Sequence, residues 1–208
     1  MDMKHKVLSG TEPFELSGTS LDTTVMDFWA WSMSRLIADG PRGDLAEFIV
    51  NTALGVDITE PKRGWGECDI LYPFPGRDNP VRIEIKCSTF LQAWERSTPS
   101  KPVFSIAKTL NCDIEDYGEG YRFKGRDGSP PERRSDLYVF CLFAEKDRSK
   151  ANPLNLDQWQ FYVIPTIIID RKLDDQRKIS LQGLKRIDAI QCKYKEIKTV
   201  VDRLSAAL

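Results

Sequence analysis

Asp69, Glu84 and Lys86 are the residues whose types and spacing point to chemistry. Glu84 and Lys86 stand two apart in a run where Val81, Ile83, Ile85 and Cys87 alternate with Arg82, Glu84 and Lys86. A strand sends alternate side chains to opposite faces, so the carboxylate and the ammonium share a charged face. Asp69 belongs to a preceding strand-like run, Glu67 to Tyr72, and Pro73, Pro75, Gly76, Asn79 and Pro80 make the turn between the two runs. Such a pair brings both acids and the lysine together. Carboxylates gathered at one end of a sheet repel unless something compensates them, and hard oxygen ligands of this kind suit Mg²⁺, with Mn²⁺ as a substitute. Lys86 is then suited to orient or deprotonate a water that attacks phosphorus.

An acid two positions before a lysine is not specific by itself, because it occurs at Asp2, Glu60, Glu84, Asp170 and Glu196. Context separates them. Only Glu84 and Lys86 lie inside an alternating strand that follows another strand carrying an acid. The rival group, Asp157 with Asp170 and Lys172, falls where an apolar run is ending. Glu47, on a helix just before the strand pair, is placed to complete a carboxylate trio. The competing reading is a solvated sheet face whose exposed pairs contribute under about 1 kcal/mol each.

Other chemistries are excluded by what is missing. His5 is the single histidine, so a serine or cysteine nucleophile with a histidine base would depend on a residue near the N-terminus. Cys68, Cys87, Cys112, Cys141 and Cys192 are odd in number and scattered, with no Cys-x-x-Cys pair. Structural zinc and a disulfide framework are therefore not expected, and a reducing, cytoplasmic location is.

The elements that must position these groups follow from hydrophobic period. A helix is expected from Ser20 to about Asp39, stopped by Gly40 and Pro41. A second follows from about Asp44 to Gly55, with Leu45, Phe48, Ile49, Thr52 and Ala53 on one face. Val103 to Ile106 is a weaker candidate, and residues 111 to 135 read as a long glycine- and proline-rich loop. Asp136 to Phe143 and Gln160 to Ile169 are apolar enough for central strands. A helix opens at Ser180, and another runs from Tyr194 to Ala207 with the stripe Ile197, Val200, Val201 and Leu204. The 208 residues suit one domain: an N-terminal helical extension (1–40), a catalytic core (41–170) and C-terminal helices (171–208).

The order of Glu47 on a helix, then Asp69, then Glu84-Ile85-Lys86 resembles the PD-(D/E)XK nucleases of the restriction-endonuclease-like fold. Further stretches are similar to uncharacterised bacterial members of that group: Ser88 to Trp94, Phe104-Ser105-Ile106, Ser135 to Phe140, and Leu156 to Val163. The resemblance implies an α/β fold with a central mixed sheet flanked by helices. It also implies Asp69, Glu84 and the Ile85 carbonyl as metal ligands, Lys86 as the catalytic lysine, and Glu47 in support. Cys68 stands where the name-giving pattern has proline. The implied activity is Mg²⁺-dependent cleavage of DNA in restriction, defence or repair. The alternative is a catalytically silent module of the same fold that binds nucleic acid or a protein partner.

The net charge of −1 predicts no bulk affinity for nucleic acid, so any such partner must be held by a local patch. Candidate substrate contacts are Ser88, Gln92 and the loop's Arg122, Lys124, Arg126, Arg133 and Arg134, although nearby acids bring the loop as a whole close to neutral. Trp29, Trp31, Trp94 and Trp159 are expected in the core. A homodimer suits double-strand cleavage, and the stripe on the last helix is its candidate contact. No stretch reads as a signal peptide or membrane span.

Overall fold

Which segments enter the sheet, and how deeply, follows from where their apolar side chains fall. The computed structural model describes residues 7–62, 68–94, 98–109, 113–117, 120–124 and 130–208, with backbone alone for the two segments between 113 and 124. The strands are β1 (Pro13–Leu16), β2 (Thr19–Thr24), β3 (Ile70–Tyr72), β4 (Val81–Thr89), β5 (Val103–Ser105), β6 (Asp113–Tyr117), β7 (Gly120–Lys124), β8 (Leu137–Phe143), β9 (Trp159–Pro165), β10 (Lys178–Ser180) and β11 (Ile190–Cys192). The helices are α1 (Val25–Met33), α2 (Asp39–Leu54), α3 (Thr166–Leu173), α4 (Leu181–Arg186) and α5 (Ile197–Ser205).

The central sheet has the order β11-β9-β8-β4-β3, with β4 and β8 parallel and the other neighbours antiparallel. This is a mixed sheet with helices on both faces, as expected at that level. Strand β8 is buried at every position. Leu137, Val139, Cys141 and Phe143 enter one core with α2 and α5, while Tyr138, Phe140 and Leu142 enter a second core with β5, β10, α3 and α4. An unbroken apolar run is what a strand covered on both faces requires.

Strand β4 is covered differently. Val81, Ile83 and Ile85 are buried in the first core, and Arg82, Glu84 and Lys86 on the other face are half-buried. The second core therefore stops at β8, and the charged face of β4 stands at its margin.

Several expectations change. The N-terminal segment is not one helix from Ser20: β1 and β2 form an antiparallel hairpin, and α1 starts at Val25. Thr24 caps α1 by accepting the Asp27 N–H at 3.4 Å, and Asp27 accepts the Thr24 N–H at 2.7 Å. Gly40 and Pro41 open α2 rather than stop its predecessor, because a proline in the first turn lacks only an N–H that has no helical partner there. Gly55 ends α2 as expected, in the left-handed region at φ 71°. The segment read as an irregular loop contains the β6–β7 hairpin. The stripe on α5 is not a subunit contact, since Ile197, Val200 and Val201 are buried in the first core. Trp159 is a core residue, but Trp94 and Trp31 are 56% and 84% exposed. His5, Glu67 and Cys112 lie outside the described residues.

Candidate functional site

The site begins where β3 stops short. Strand β3 pairs with β4 from Tyr72 opposite Val81 to Ile70 opposite Ile83, and the Asp69 N–H still bonds the Ile83 carbonyl at 3.1 Å. One step further, the Asp69 side chain takes over from the backbone: its Oδ2 accepts the Ile85 N–H at 2.6 Å. The carboxylate is thus tied to the middle of Glu84-Ile85-Lys86. A strand residue sends its N–H and C=O to the same edge, so the Ile85 carbonyl emerges on the Asp69 side, past the end of β3.

Parallel pairing with β8 supplies the other wall. Glu84 is in register with Tyr138, and Asp136 fixes that register. Its carboxylate accepts the Arg82 N–H at 2.8 Å and pairs with the Arg82 guanidinium at 2.9 Å, while its own N–H bonds the Arg82 carbonyl at 2.7 Å. Burial would raise Asp136, but the Arg82 donors outweigh it and hold the carboxyl below the usual range. This clasp sets Ser135 beside Glu84, where its hydroxyl donates to Oε2 at 3.2 Å. The other oxygen of Glu84 accepts from Lys86 Nζ. Burial raises the Glu84 carboxyl, and the Asp69 charge adds to it, against the pull of Lys86 and Ser135.

Asp69, Glu84 and Lys86 open onto a cavity of about 190 Å³ lined also by Cys68, Ser105, Ala107, Thr109, Arg133, Arg134 and Tyr138. Two of these basic residues are not equivalent. Arg133 borders the cavity, yet its side chain is fully buried: Nε donates to the Ile106 carbonyl at 2.7 Å, and Nη2 donates to the Asp174 and Gln176 carbonyls at 2.9 Å each. Nη1 pairs with Asp170. Arg133 is a brace for the segment around Asp174, and the expectation that it contacts substrate does not fit that burial. Arg134 is the opposite case. Its Nε and Nη2 are buried with no hydrogen-bond partner among the described residues, and Glu132 lies 3.5 Å away, long for a hydrogen bond.

The remaining candidates fall elsewhere. Glu47 on α2 does not line the cavity; it bonds Lys62 at 2.9 Å, and Lys62 also bonds Asp44 at 2.6 Å. Burial raises Glu47, with Lys62 opposing and the Asp69 charge adding, which puts Glu47 and Asp69 within electrostatic reach. Ser88 is buried, and its hydroxyl accepts the Val103 N–H at 3.2 Å, so it holds β5 instead of facing the cavity. Gln92 bonds Ser100 at 3.0 Å and lines a separate cleft with Phe90, Lys146 and Arg148. Arg122 and Lys124 fall on β7, where backbone alone is described, and Arg126 lies outside the described residues.

Sequence reasoning passed over Ser135 and Tyr138 as site residues. Only the β4–β8 register brings them to Glu84, and nothing local in Ser135 to Tyr138 announces it. Cys68, the departure from the proline pattern, is a half-buried free thiol that lines the cavity. Burial pushes it up to about 11, and its Sγ donates to the Ile70 carbonyl at 3.3 Å.

Two carboxylates and a backbone carbonyl form a hard donor set of the size Mg²⁺ accepts from a protein, the rest being water and substrate oxygen. A cation there would relieve the repulsion and burial that raise Glu84. No cluster of three or more His, Cys, Asp or Glu side chains able to hold a metal is present among the described residues. The chain matches no protein-family model, no curated protein and no solved structure.

Proposed function

We propose that this chain is a divalent-metal-dependent DNA endonuclease on a restriction-endonuclease-like core. The observation that carries the reading is the meeting of Asp69, Glu84 and Lys86 in one cavity with Arg134, whose buried Nε and Nη2 have no hydrogen-bond partner among the described residues. A buried donor without a partner costs about 1–3 kcal/mol, and a phosphate oxygen is an acceptor that would recover it.

Asp69, Glu84 and the Ile85 carbonyl would hold Mg²⁺ or Mn²⁺. When bound, such an ion polarises a phosphate oxygen and acidifies a water. The Ile85 N–H keeps the Asp69 carboxylate aimed, and Ser135 does the same for Glu84. Lys86 holds the attacking water and moves its proton. Arg134 binds a non-bridging oxygen and offsets charge as it builds on the phosphoryl group. Glu47 acts at one remove, through its field on Asp69.

The test is incubation of plasmid and single-stranded DNA with the protein in Mg²⁺, Mn²⁺ or EDTA, beside Glu84→Ala and Lys86→Ala. Cleavage that requires metal and both side chains is expected. Cleavage that survives EDTA, or both substitutions, would refute the assignment.

One arrangement favours the silent module. Both Glu84 oxygens and Asp69 Oδ2 already accept from protein donors, Lys86, Ser135 and the Ile85 N–H, so the carboxylates are held in place without a metal. That reading is preferred if DNA is bound in EDTA and never cut.

A further inference from the structure

The segment that follows β4, residues 90–94, has no regular secondary structure, yet side chains and backbone from elsewhere fix it along its length. The Leu91 N–H donates to the Thr89 hydroxyl at 3.0 Å, and the Ser100 N–H donates to the Phe90 carbonyl at 2.7 Å. Arg148 donates to the Gln92 and Trp94 carbonyls at 2.8 and 3.0 Å, and Arg35 donates to the Ala93 carbonyl at 3.2 Å. Three successive carbonyls are thus held by guanidinium groups from two distant parts of the chain. What this bracing presents to water is an indole, since Trp94 is 56% exposed and belongs to neither core. An indole is among the largest contact surfaces a side chain offers, and on a braced backbone little ordering cost remains when something binds it.

Beside it is a cleft of about 150 Å³, lined by Phe90 and Gln92 after β4 and by Lys146 and Arg148 after β8, with no acid in its lining. Lys146 Nζ stands 4.6 Å from the centroid of the Phe90 ring and pairs with no carboxylate among the described residues. The acids next to these cations in sequence are engaged locally. Glu145 accepts the Lys146 and Asp147 N–H groups at 2.7 and 2.8 Å, and Asp147 accepts the Ser149 N–H at 3.0 Å and lies 3.3 Å from Lys150. Cations beside an open aromatic face match single-stranded nucleic acid, whose phosphates meet the charges and whose unstacked bases meet the ring. A duplex keeps its base faces covered, and an acidic peptide would use the cations and leave the indole idle.

The cleft is also in line with the candidate site. Phe90 packs on the second core, at whose margin Glu84 and Lys86 stand, and it follows Lys86 by four residues, about 13 Å of extended chain. A DNA strand spans that distance in about four nucleotides at duplex rise, and in fewer when extended.

We propose that this cleft and Trp94 bind a single-stranded segment of DNA a few nucleotides from the scissile bond, with a base stacked on Trp94 and a phosphate on Lys146. The assignment rests on the reading of the chain as one that acts on DNA, and it narrows the substrate class to DNA with an unpaired segment beside the cut.

Fluorescence anisotropy of a labelled oligothymidylate of about 15 nucleotides, and of a blunt duplex of equal length, reads binding by the full chain in EDTA without cleavage. The wild type is expected to hold the single strand more tightly. Trp94→Ala should weaken that binding at least about fivefold, with duplex binding, circular dichroism and melting unchanged. Trp94→Phe should keep most of the affinity. Lys146→Gln should lower the slope of log Kd against log salt concentration by about 0.7. A Trp94→Ala protein that binds like the wild type, or a wild type that binds neither oligonucleotide, overturns the proposal. Polyglutamate that competes as well as oligothymidylate, with the same dependence on Trp94, overturns it in favour of an acidic chain. Plasmid and single-strand cleavage score the endonuclease reading separately: Trp94-dependent binding without cleavage upholds the cleft and overturns the nuclease, and cleavage with Trp94-independent binding does the reverse.

Discussion

Arg133 and Arg134 are adjacent in sequence and should respond to the same substitution in opposite directions. Methionine keeps most of the stem and removes the guanidinium. At Arg133 it deletes four hydrogen bonds, to the Ile106, Asp174 and Gln176 carbonyls and to Asp170. Bonds made by a charged group contribute about 1.5–3 kcal/mol each but do not add. Asp170, 40% exposed, can turn to water and so limits the loss. Removing one partner of a buried pair costs about 3–5 kcal/mol, and we expect Arg133→Met within that range. For a chain of this size that lowers Tm by roughly 6–20 °C.

At Arg134 the same change removes the buried Nε and Nη2 donors, which have no hydrogen-bond partner among the described residues, a relief of about 1–3 kcal/mol against the loss of a weak pair with exposed Glu132, worth under about 1 kcal/mol, so Arg134→Met should hold or raise Tm. If the chain cuts DNA as proposed, it should also abolish plasmid cleavage. Differential scanning calorimetry of the two variants at one pH and salt concentration reads the stabilities, and the plasmid assay reads the function. Equal melting shifts would refute the division of labour between brace and free cavity donor. So would an Arg134→Met protein that melts well below wild type.

Two further outcomes follow from the carboxylates. Glu84 is raised in the folded state, so its protonated form is favoured by folding: its contribution is fully present below the ordinary glutamate value of 4.5 and is lost as pH rises through the higher folded value. Glu84→Gln should therefore melt above wild type at pH 7–8, with the gap closing below about pH 4.5; a constant gap from pH 4 to 8 would contradict this. If Asp69 and Glu84 hold a divalent ion, Mg²⁺ at about ten times its Kd should stabilise the wild type by about 1.4 kcal/mol, roughly 3–6 °C. Asp69→Asn and Glu84→Gln should lose that shift, and an equal shift in all three proteins would place the ion elsewhere.

The alternation through Val81–Lys86 was enough to put Glu84 and Lys86 on one face, because side-chain direction in a strand is local geometry. The unbroken apolar run of residues 137–143 was likewise enough to place that strand inside the sheet. Gly55 announced the end of α2, since only a residue tolerant of the left-handed region sits there without strain.

Other features depend on which segments meet. Exposure of Trp31 and burial of Trp159 look alike in sequence, and only the presence or absence of a covering element separates them. The same holds for the α5 stripe, which could join two subunits or fill its own core until α2 and β9 are seen against it. Arg133 and Arg134 share a basic stretch, yet one finds four acceptors and the other faces a cavity. Ser135 and Tyr138 reach Glu84 through the parallel register of β4 and β8, a pairing between residues about fifty apart in the chain. Sequence determined the charge, the periods and the faces of single elements, all properties of neighbouring residues; tertiary structure decided the partners of those faces, because burial and hydrogen bonding are settled between segments that sequence leaves far apart.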